Sequence, residues 1–399
     1  MTLRSFSRGL PVVASMVGLA AAAPCVSTAT AASTAPETTA PTDVARTSDL
    51  LPRTIAAGPP ASFAWTEGSR VRVAAPGVPA RTVAWLRSAP SSGTRSGGRP
   101  ALSRDGSHLV VIGDQDASLV PITTGGRPVR IPADDAYGDA EARWSADGRT
   151  VLIVEGALAR CTVEPVVRCT TVGRDLISEY GATISPDGAS VAYVRTARRT
   201  DGVSAGDLVV RGPDGRGRIL ERTRVSGRRT SLPTPPTWTS SGLVWGVLDV
   251  RDIDDDAPGF SRVRTRILRP DGTVHTLSAG PIAGGRTVPF LPFGGAPDAV
   301  AFGARYRLAA GDVTRLDLAT LAADGSTRQL GVSLTGLDGR SLAVLGVLAD
   351  GRVAVREGGD GDEERLYLVP PGARSLGRAV ARGSAVDVAA AFPNDARSF

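Results

Sequence analysis

Residues with chemical potential are few in this chain, and their surroundings speak against catalysis. Only two histidines occur, His108 and His275. His108 follows Asp105-Gly106 and opens an apolar run; His275 lies between Val274 and Thr276. Each reads as a half-buried strand residue and not as a base or metal ligand. The pentapeptide Gly-x-Ser-x-Gly occurs as Gly202-Val203-Ser204-Ala205-Gly206. As a nucleophile elbow it needs a strand before it and a helix after it. Here a polar loop carrying Arg198 and Arg199 precedes it, and Asp207-Leu208-Val209-Val210 after it has a strand pattern, so the match is fortuitous. No Gly-rich phosphate loop joins a strand to a helix.

Two acidic runs remain. One holds Asp249, Asp252, Asp254, Asp255 and Asp256, the other Asp360, Asp362, Glu363 and Glu364. Oxygen-rich loops can bind Ca²⁺, but neither run has the twelve-residue Asp-x-Asp-x-Asp-Gly pattern ending in Glu. A solvated charge run is the expectation and Ca²⁺ the alternative. No other cofactor and no metal site are expected, because two thiols without further Cys or His do not make a zinc site.

Cys161 and Cys169 flank Thr162-Val163-Glu164-Pro165-Val166-Val167-Arg168. A turn at Glu164-Pro165-Val166 sets them directly opposite each other, with Cα atoms about 4.5 Å apart at a non-hydrogen-bonded pair. That is within disulfide reach, so a cross-strand bridge is expected.

What must position these residues is set by a repeated phrase. Leu102-Ser103-Arg104-Asp105-Gly106, Trp144-Ser145-Ala146-Asp147-Gly148 and Ile184-Ser185-Pro186-Asp187-Gly188 each precede an apolar strand. Their Asp positions are 42 and then 40 residues apart, a period that belongs to four-stranded propeller blades. Tight turns between third and fourth strands occur at Pro76-Gly77, Gly125-Gly126, Glu164-Pro165, Asp214-Gly215, Asp271-Gly272, Asp324-Gly325 and Pro371-Gly372. Those between first and second strands occur at Asp105-Gly106, Asp147-Gly148, Asp187-Gly188, Ser241-Gly242, Pro297-Asp298 and Asp350-Gly351. The first set gives one turn more than the second. The missing inner strand is read at Val388 to Phe392, with Pro393-Asn394-Asp395 as its turn. The fold class is therefore all-β, a seven-bladed propeller with six blades as the alternative. A C-terminal strand completes the first blade and removes a free sheet edge. Asp-Gly serves the turn, where positive φ is required, so these aspartates are structural.

The Ser-x-Asp-Gly phrase followed by an apolar strand resembles the WD40-like repeat of the TolB-type propellers of bacterial envelopes. It is specific in three blades and degenerate in four, over most of 61–399. TolB-type proteins carry an α/β domain before a six-bladed propeller; here a short tether and seven blades are read. Docking of a peptidoglycan-associated lipoprotein, which the resemblance implies, is therefore not carried over.

Residues 1–31 have the pattern of a secretory signal: Arg4 and Arg8, an apolar stretch from Leu10 to Ala23, and Ala29-Thr30-Ala31. A lipid anchor on Cys25 is the alternative. Residues 32–60, rich in Thr, Ala and Pro, read as a flexible tether. No later apolar run spans a bilayer. The expected location is extracytoplasmic, secreted or in the cell envelope. The net charge of +6 is spread along the chain, which excludes a concentrated phosphate-binding patch and with it a nucleic-acid role.

The two connections expected to be long are the loops between second and third strands, Arg195 to Asp207 in blade 4 and Asp249 to Ser261 in blade 5. Long loops on a rigid scaffold carry recognition. The expected binding rim is Arg195, Arg198, Arg199, Asp252, Asp254, Asp255, Asp256, Asp360 and Asp362. The functional expectation is a monomeric, non-catalytic scaffold binding an envelope protein or ligand. The alternative is a carbohydrate lyase or hydrolase in the propeller funnel. That enzyme needs carboxylates and arginines converging from several inner strands, whereas Ala182-Thr183-Ile184 and Pro289-Phe290-Leu291 are apolar or small.

Overall fold

The computed structural model describes residues 49–393 apart from 88–97, 114–115, 133–139, 156, 165, 175–180, 199–203, 227–228, 252–258, 282–286, 297–298, 310–311, 336–341 and 359–362. Among the described residues every regular element is a strand, and the strands form seven antiparallel sheets. From inner to outer strand, blade 2 runs Arg99–Leu102, His108–Ile112, Ala117–Pro121 and Val129–Ile131. Blade 3 runs Glu141–Trp144, Thr150–Glu155, Ala157–Thr162 and Arg168–Arg174. Blades 4 and 6 are likewise simple meanders from inner strands Thr183–Ile184 and Thr287–Ala296. The inner strands adjoin one another in a closed circle through all seven blades, so the ring has seven blades and not six.

Closure follows the expected plan with a shifted strand. Blade 1 is Phe63–Glu67, Arg70–Ala75 and Val78–Trp85, and its inner strand is Ala385–Val388, with Phe63 opposite Val388 and Thr66 opposite Ala385. Residues 389–391 are not part of that strand, and Pro393 does not turn it. Instead Phe392–Pro393 pairs with Gly346 and Val347 on the inner edge of the blade 7 strand Leu342–Val347. The apolar register explains the shift. Val386 and Val388 are buried between blades 7 and 1, and Asp387, only 1% exposed, accepts a hydrogen bond from the Leu102 amide.

The core lies between blades rather than at one centre. One cluster joins Val71, Val73, Leu109 and Val120 of blades 1 and 2; another joins Val110, Ile112, Val151 and Ile153 of blades 2 and 3. Similar clusters follow around the ring. Each sheet is apolar on both faces because each face meets a neighbouring blade.

The repeated phrase builds its turns as its composition dictates. Ser145 Oγ accepts from the Thr150 amide and donates to Asp147 Oδ1, which accepts from the Arg149 amide. Ser103 with Asp105 and Ser185 with Asp187 repeat the arrangement. Gly106, Gly148 and Gly188 have φ of 68°, 68° and 70°. Asp214, Asp271, Asp324 and Asp350 each accept the amide two residues ahead, with Gly between. Both turn sets thus lie on one face of the ring, which we call the tight-turn face.

Two expectations are corrected. The segment expected as a tether, 32–60, is laid against the ring from Asp49 onward: Leu50 bridges Leu86, Ile55 bridges Gly126, and both are buried. The Arg81 guanidinium fastens it through the carbonyls of Ala56 and Ile122, at 3.1 and 3.0 Å. Secondly, the connections read as long loops are strand at both of their ends. Val191–Arg198 pairs with Ser204–Arg211 and puts Arg195 opposite Asp207; Gly242–Arg251 pairs with Gly259–Leu268.

Candidate functional site: a charged well at the open face

Inner strands enter from the face opposite the tight turns, so their first residues stand at that open face. In blade 2 the first residue is Arg99; in blade 3 it is Glu141, followed two residues later by Arg143. Alternation sends Arg99 and Ala101, and Glu141 and Arg143, to the same side of their strands. In blade 7, Arg356 lies near the end of Val353–Glu357 and Glu364 begins Glu364–Val369, again at the open face. These five side chains line one cavity with Ala385 and Val386 of blade 1 and Leu345 of blade 7. The cavity volume is about 50 Å³, room for a few waters or one small polar group.

The charges in this well are partly paired. Glu141 accepts from Arg143, whose side chain is 5% exposed. Arg356 Nη1 lies 3.4 Å from Glu364 Oε1, and the Val386 amide donates to Glu364 Oε2 at 2.9 Å. The latter bond ties blade 7 to the closing strand of blade 1, so the site exists only in the closed ring. Arg99 is half-buried, and its guanidinium has no hydrogen-bonding or ionic partner among the described residues.

Toward the tight-turn face, Phe392–Pro393 pairs along the inner edge of Leu342–Val347 at Gly346 and Val347, next to the tight turn at Asp350-Gly351, and also adjoins Thr287–Ala296 of blade 6.

Blade 5 raises the open rim. Thr237–Thr239 and Arg229–Pro233 both pair with Gly242–Arg251, and Arg224–Ser226 adds to the inner side of Arg229–Pro233. Asp249, expected in a loop, is in strand. It accepts from Ser231 Oγ at 2.5 Å and from Arg264 Nη2 at 2.9 Å. Glu221 pairs with Arg266, whose guanidinium carbon lies 5.8 Å from the Trp245 ring centre. Arg224 and Arg262 are exposed there.

Of the expected rim residues, Arg195 is in strand and pairs with Asp207 at 3.8 Å, and Arg198 closes the same strand. Arg199, Asp252, Asp254, Asp255, Asp256, Asp360 and Asp362 lie outside the described residues. The two histidines are in strands on the tight-turn face, away from the well. His108 Nδ1 is 2.8 Å from Ser107 Oγ, while His275, exposed rather than half-buried, is 2.8 Å from Thr273 Oγ1. Ser204 begins a strand in the hairpin, not a helix. Cys161 and Cys169 are bonded across paired strands with Cα atoms 4.0 Å apart. Among the described residues no group of three or more His, Cys, Asp or Glu is placed to hold a metal, and no helix is long and apolar enough to cross a membrane.

The sequence signal for the well was the charged first residue of two inner strands, Arg99-Pro-Ala-Leu and Glu141-Ala-Arg-Trp. The inner strands weighed against a charged funnel, at Ala182 and Pro289, belong to blades 4 and 6. The charge comes from blades 2, 3 and 7.

No protein-family model and no curated protein sequence matches the chain. Among solved structures it is similar to the β-propeller domain of Cps50 (Swd1) from Myceliophteria thermophila, with 13% identity, TM-score 0.48, and coverage of 73% of this chain and 87% of that one. A functionally unknown protein from Desulfotomaculum acetoxidans has 11% identity, TM-score 0.45 and coverage of 82% and 98%. TolB from Acinetobacter baumannii has 11% identity, TM-score 0.36 and coverage of 81% of each chain. The propeller assignment rests on the sheet order and closed ring of the chain itself.

Proposed function

We propose that the chain is an exported propeller scaffold that binds a partner on its open face, in the cell envelope or outside the cell, without catalysing a reaction. The observation that carries the reading is the charged well at the open face, to which four blades contribute. Export is supported by the charged and apolar pattern of residues 1–31 and by the Cys161–Cys169 bond, which suits an oxidising compartment.

The test is crosslinking capture from an envelope extract with wild-type protein, with Arg224→Glu/Arg262→Glu on the open face, and with Asp214→Arg on the tight-turn face. Loss of the captured partner in the first variant and retention in the second is the expected result. Retention in both, or equal loss in both, overturns the reading.

A second reading is favoured by one observation: two carboxylates and three arginines share one well, as a carbohydrate lyase or hydrolase requires. Turnover of an anionic polysaccharide that Glu141→Gln abolishes, in a variant still folded by circular dichroism, establishes that reading. No turnover across such a panel rejects it.

A further inference from the structure

We propose that the charged well at the open face is a carboxylate-binding site with Arg99 as its recognising residue, an inference that rests on reading the open face as a binding surface. Arg99 stands at the mouth of the well as a half-buried guanidinium, while Arg143 is held by Glu141 and Arg356 by Glu364. A half-buried cation with no partner among the described residues is poorly solvated and gains from an incoming anion. The planar guanidinium fork matches a carboxylate with two parallel hydrogen bonds.

Charge and size narrow the anion. Three arginines and two glutamates line the well, so its formal charge is 3 − 2 = +1, which one negative charge neutralises. A dianion such as phosphate meets repulsion from Glu141 and Glu364. A volume of about 50 Å³ admits a carboxylate group. Ala385, Val386 and Leu345 supply an apolar wall against which a short aliphatic stem can lie. A free small acid and the C-terminus of a peptide share this chemistry.

The experiment is isothermal titration calorimetry on the folded, disulfide-bonded chain. The probes are acetate, N-acetyl-dialanine with a free C-terminus, the same peptide as its amide, and inorganic phosphate. Saturable binding of the free acids is expected, with the amide and phosphate at least tenfold weaker. Arg99→Gln weakens the acids tenfold or more and Arg99→Lys weakens them less, whereas Arg216→Gln, on an exposed tight turn, binds as wild type. Acetate matching the peptide identifies a small acid as the source, and a tenfold preference for the peptide identifies a chain terminus. Unchanged binding in Arg99→Gln, phosphate binding as tightly as the acids, or no saturable binding overturns the inference. Arg99→Gln leaves no buried partner unpaired, and its unfolding midpoint checks that it is intact. If carboxylate binding fails while Arg224→Glu/Arg262→Glu still abolishes capture, only this inference falls. If carboxylates bind while that variant captures normally, only the partner-binding reading falls.

Discussion

The Leu102 amide donates a 2.8 Å hydrogen bond to the carboxylate of Asp387, 285 positions later in the chain. It joins the inner strand of blade 2 to the closing strand of blade 1, at a site where Asp387 is 1% exposed. Removing the acceptor leaves a buried donor without a partner, at a cost of about 1–3 kcal/mol. Asp387→Ala is expected to lower unfolding stability by about this amount, and Asp387→Asn by less because it keeps an acceptor. Urea unfolding of the two variants checks the order; equal losses would show that the acceptor is not what matters.

Two glycines with nearly the same backbone separate conformational strain from crowding. Gly188 has φ of 70° and Gly215 has φ of 74°. A Cβ on Gly188 would lie 2.5 Å from Thr150 Oγ1 of the neighbouring blade, while Gly215 has nothing within 4 Å. Gly215→Ala should cost about 1–2 kcal/mol for the left-handed conformation. Gly188→Ala should add about 1–3 kcal/mol of overpacking. Thermal unfolding of the pair reads the difference, and Thr150→Ser should relieve little of it because the hydroxyl oxygen is retained.

Acid should loosen the turns of the repeated phrase. The Ser185 hydroxyl and the Ala189 amide hold the Asp187 carboxyl below its ordinary value of 3.8. At Asp105 burial pulls upward, but hydrogen bonds from Ser103 and Ser107 outweigh it and the net shift is also downward. A carboxylate whose folded value is depressed adds stability that is complete above the unfolded value and is lost as pH falls through the folded one. The unfolding midpoint should therefore hold down to about pH 4 and drop below it. In Asp187→Asn the drop should be shallower. An identical slope in that variant would remove Asp187 from the explanation.

The Cys161–Cys169 bond closes a short hairpin between the two outer strands of blade 3, at a sequence separation of 8. The short loop limits its contribution to about 2–3 kcal/mol. Cys161→Ser/Cys169→Ser should lose that amount and still fold, since the blade interfaces are intact. Mass spectrometry of the protein purified without reductant should find both thiols oxidised.

How much of this was legible follows from where each partner sits. The turns and the cysteine pair are local, so spacing and residue type are enough to identify them. The closing strand was displaced by several residues because Asp387 breaks an apolar pattern, and the amide that satisfies it belongs to another blade. The strands around Arg195 and Asp249 read as loops because they are charged. Their charges face opposite charges across the ladder, Asp207 and Arg264, and such cross-strand pairs sustain a ladder without apolar residues. The packed segment around Leu50 and Ile55 is short and broken by Pro52, Pro59 and Pro60, so its apolar residues form no period. The well is the least local feature of all. Arg99, Glu141, Arg356 and Glu364 come from three blades, and only ring closure brings them together.

The late position of the closing strand has a consequence for how the protein is made. Phe63 of blade 1 pairs with Val388, so blade 1 presents a bare inner edge until Val388 has been synthesised. Until then the well has no wall at Ala385 and the Leu102 amide lacks its Asp387 acceptor. Contacts of such sequence separation form slowly. A product interrupted before Ala385 therefore carries the charged residues of blades 2, 3 and 7 without the strand that joins blade 7 to blade 2.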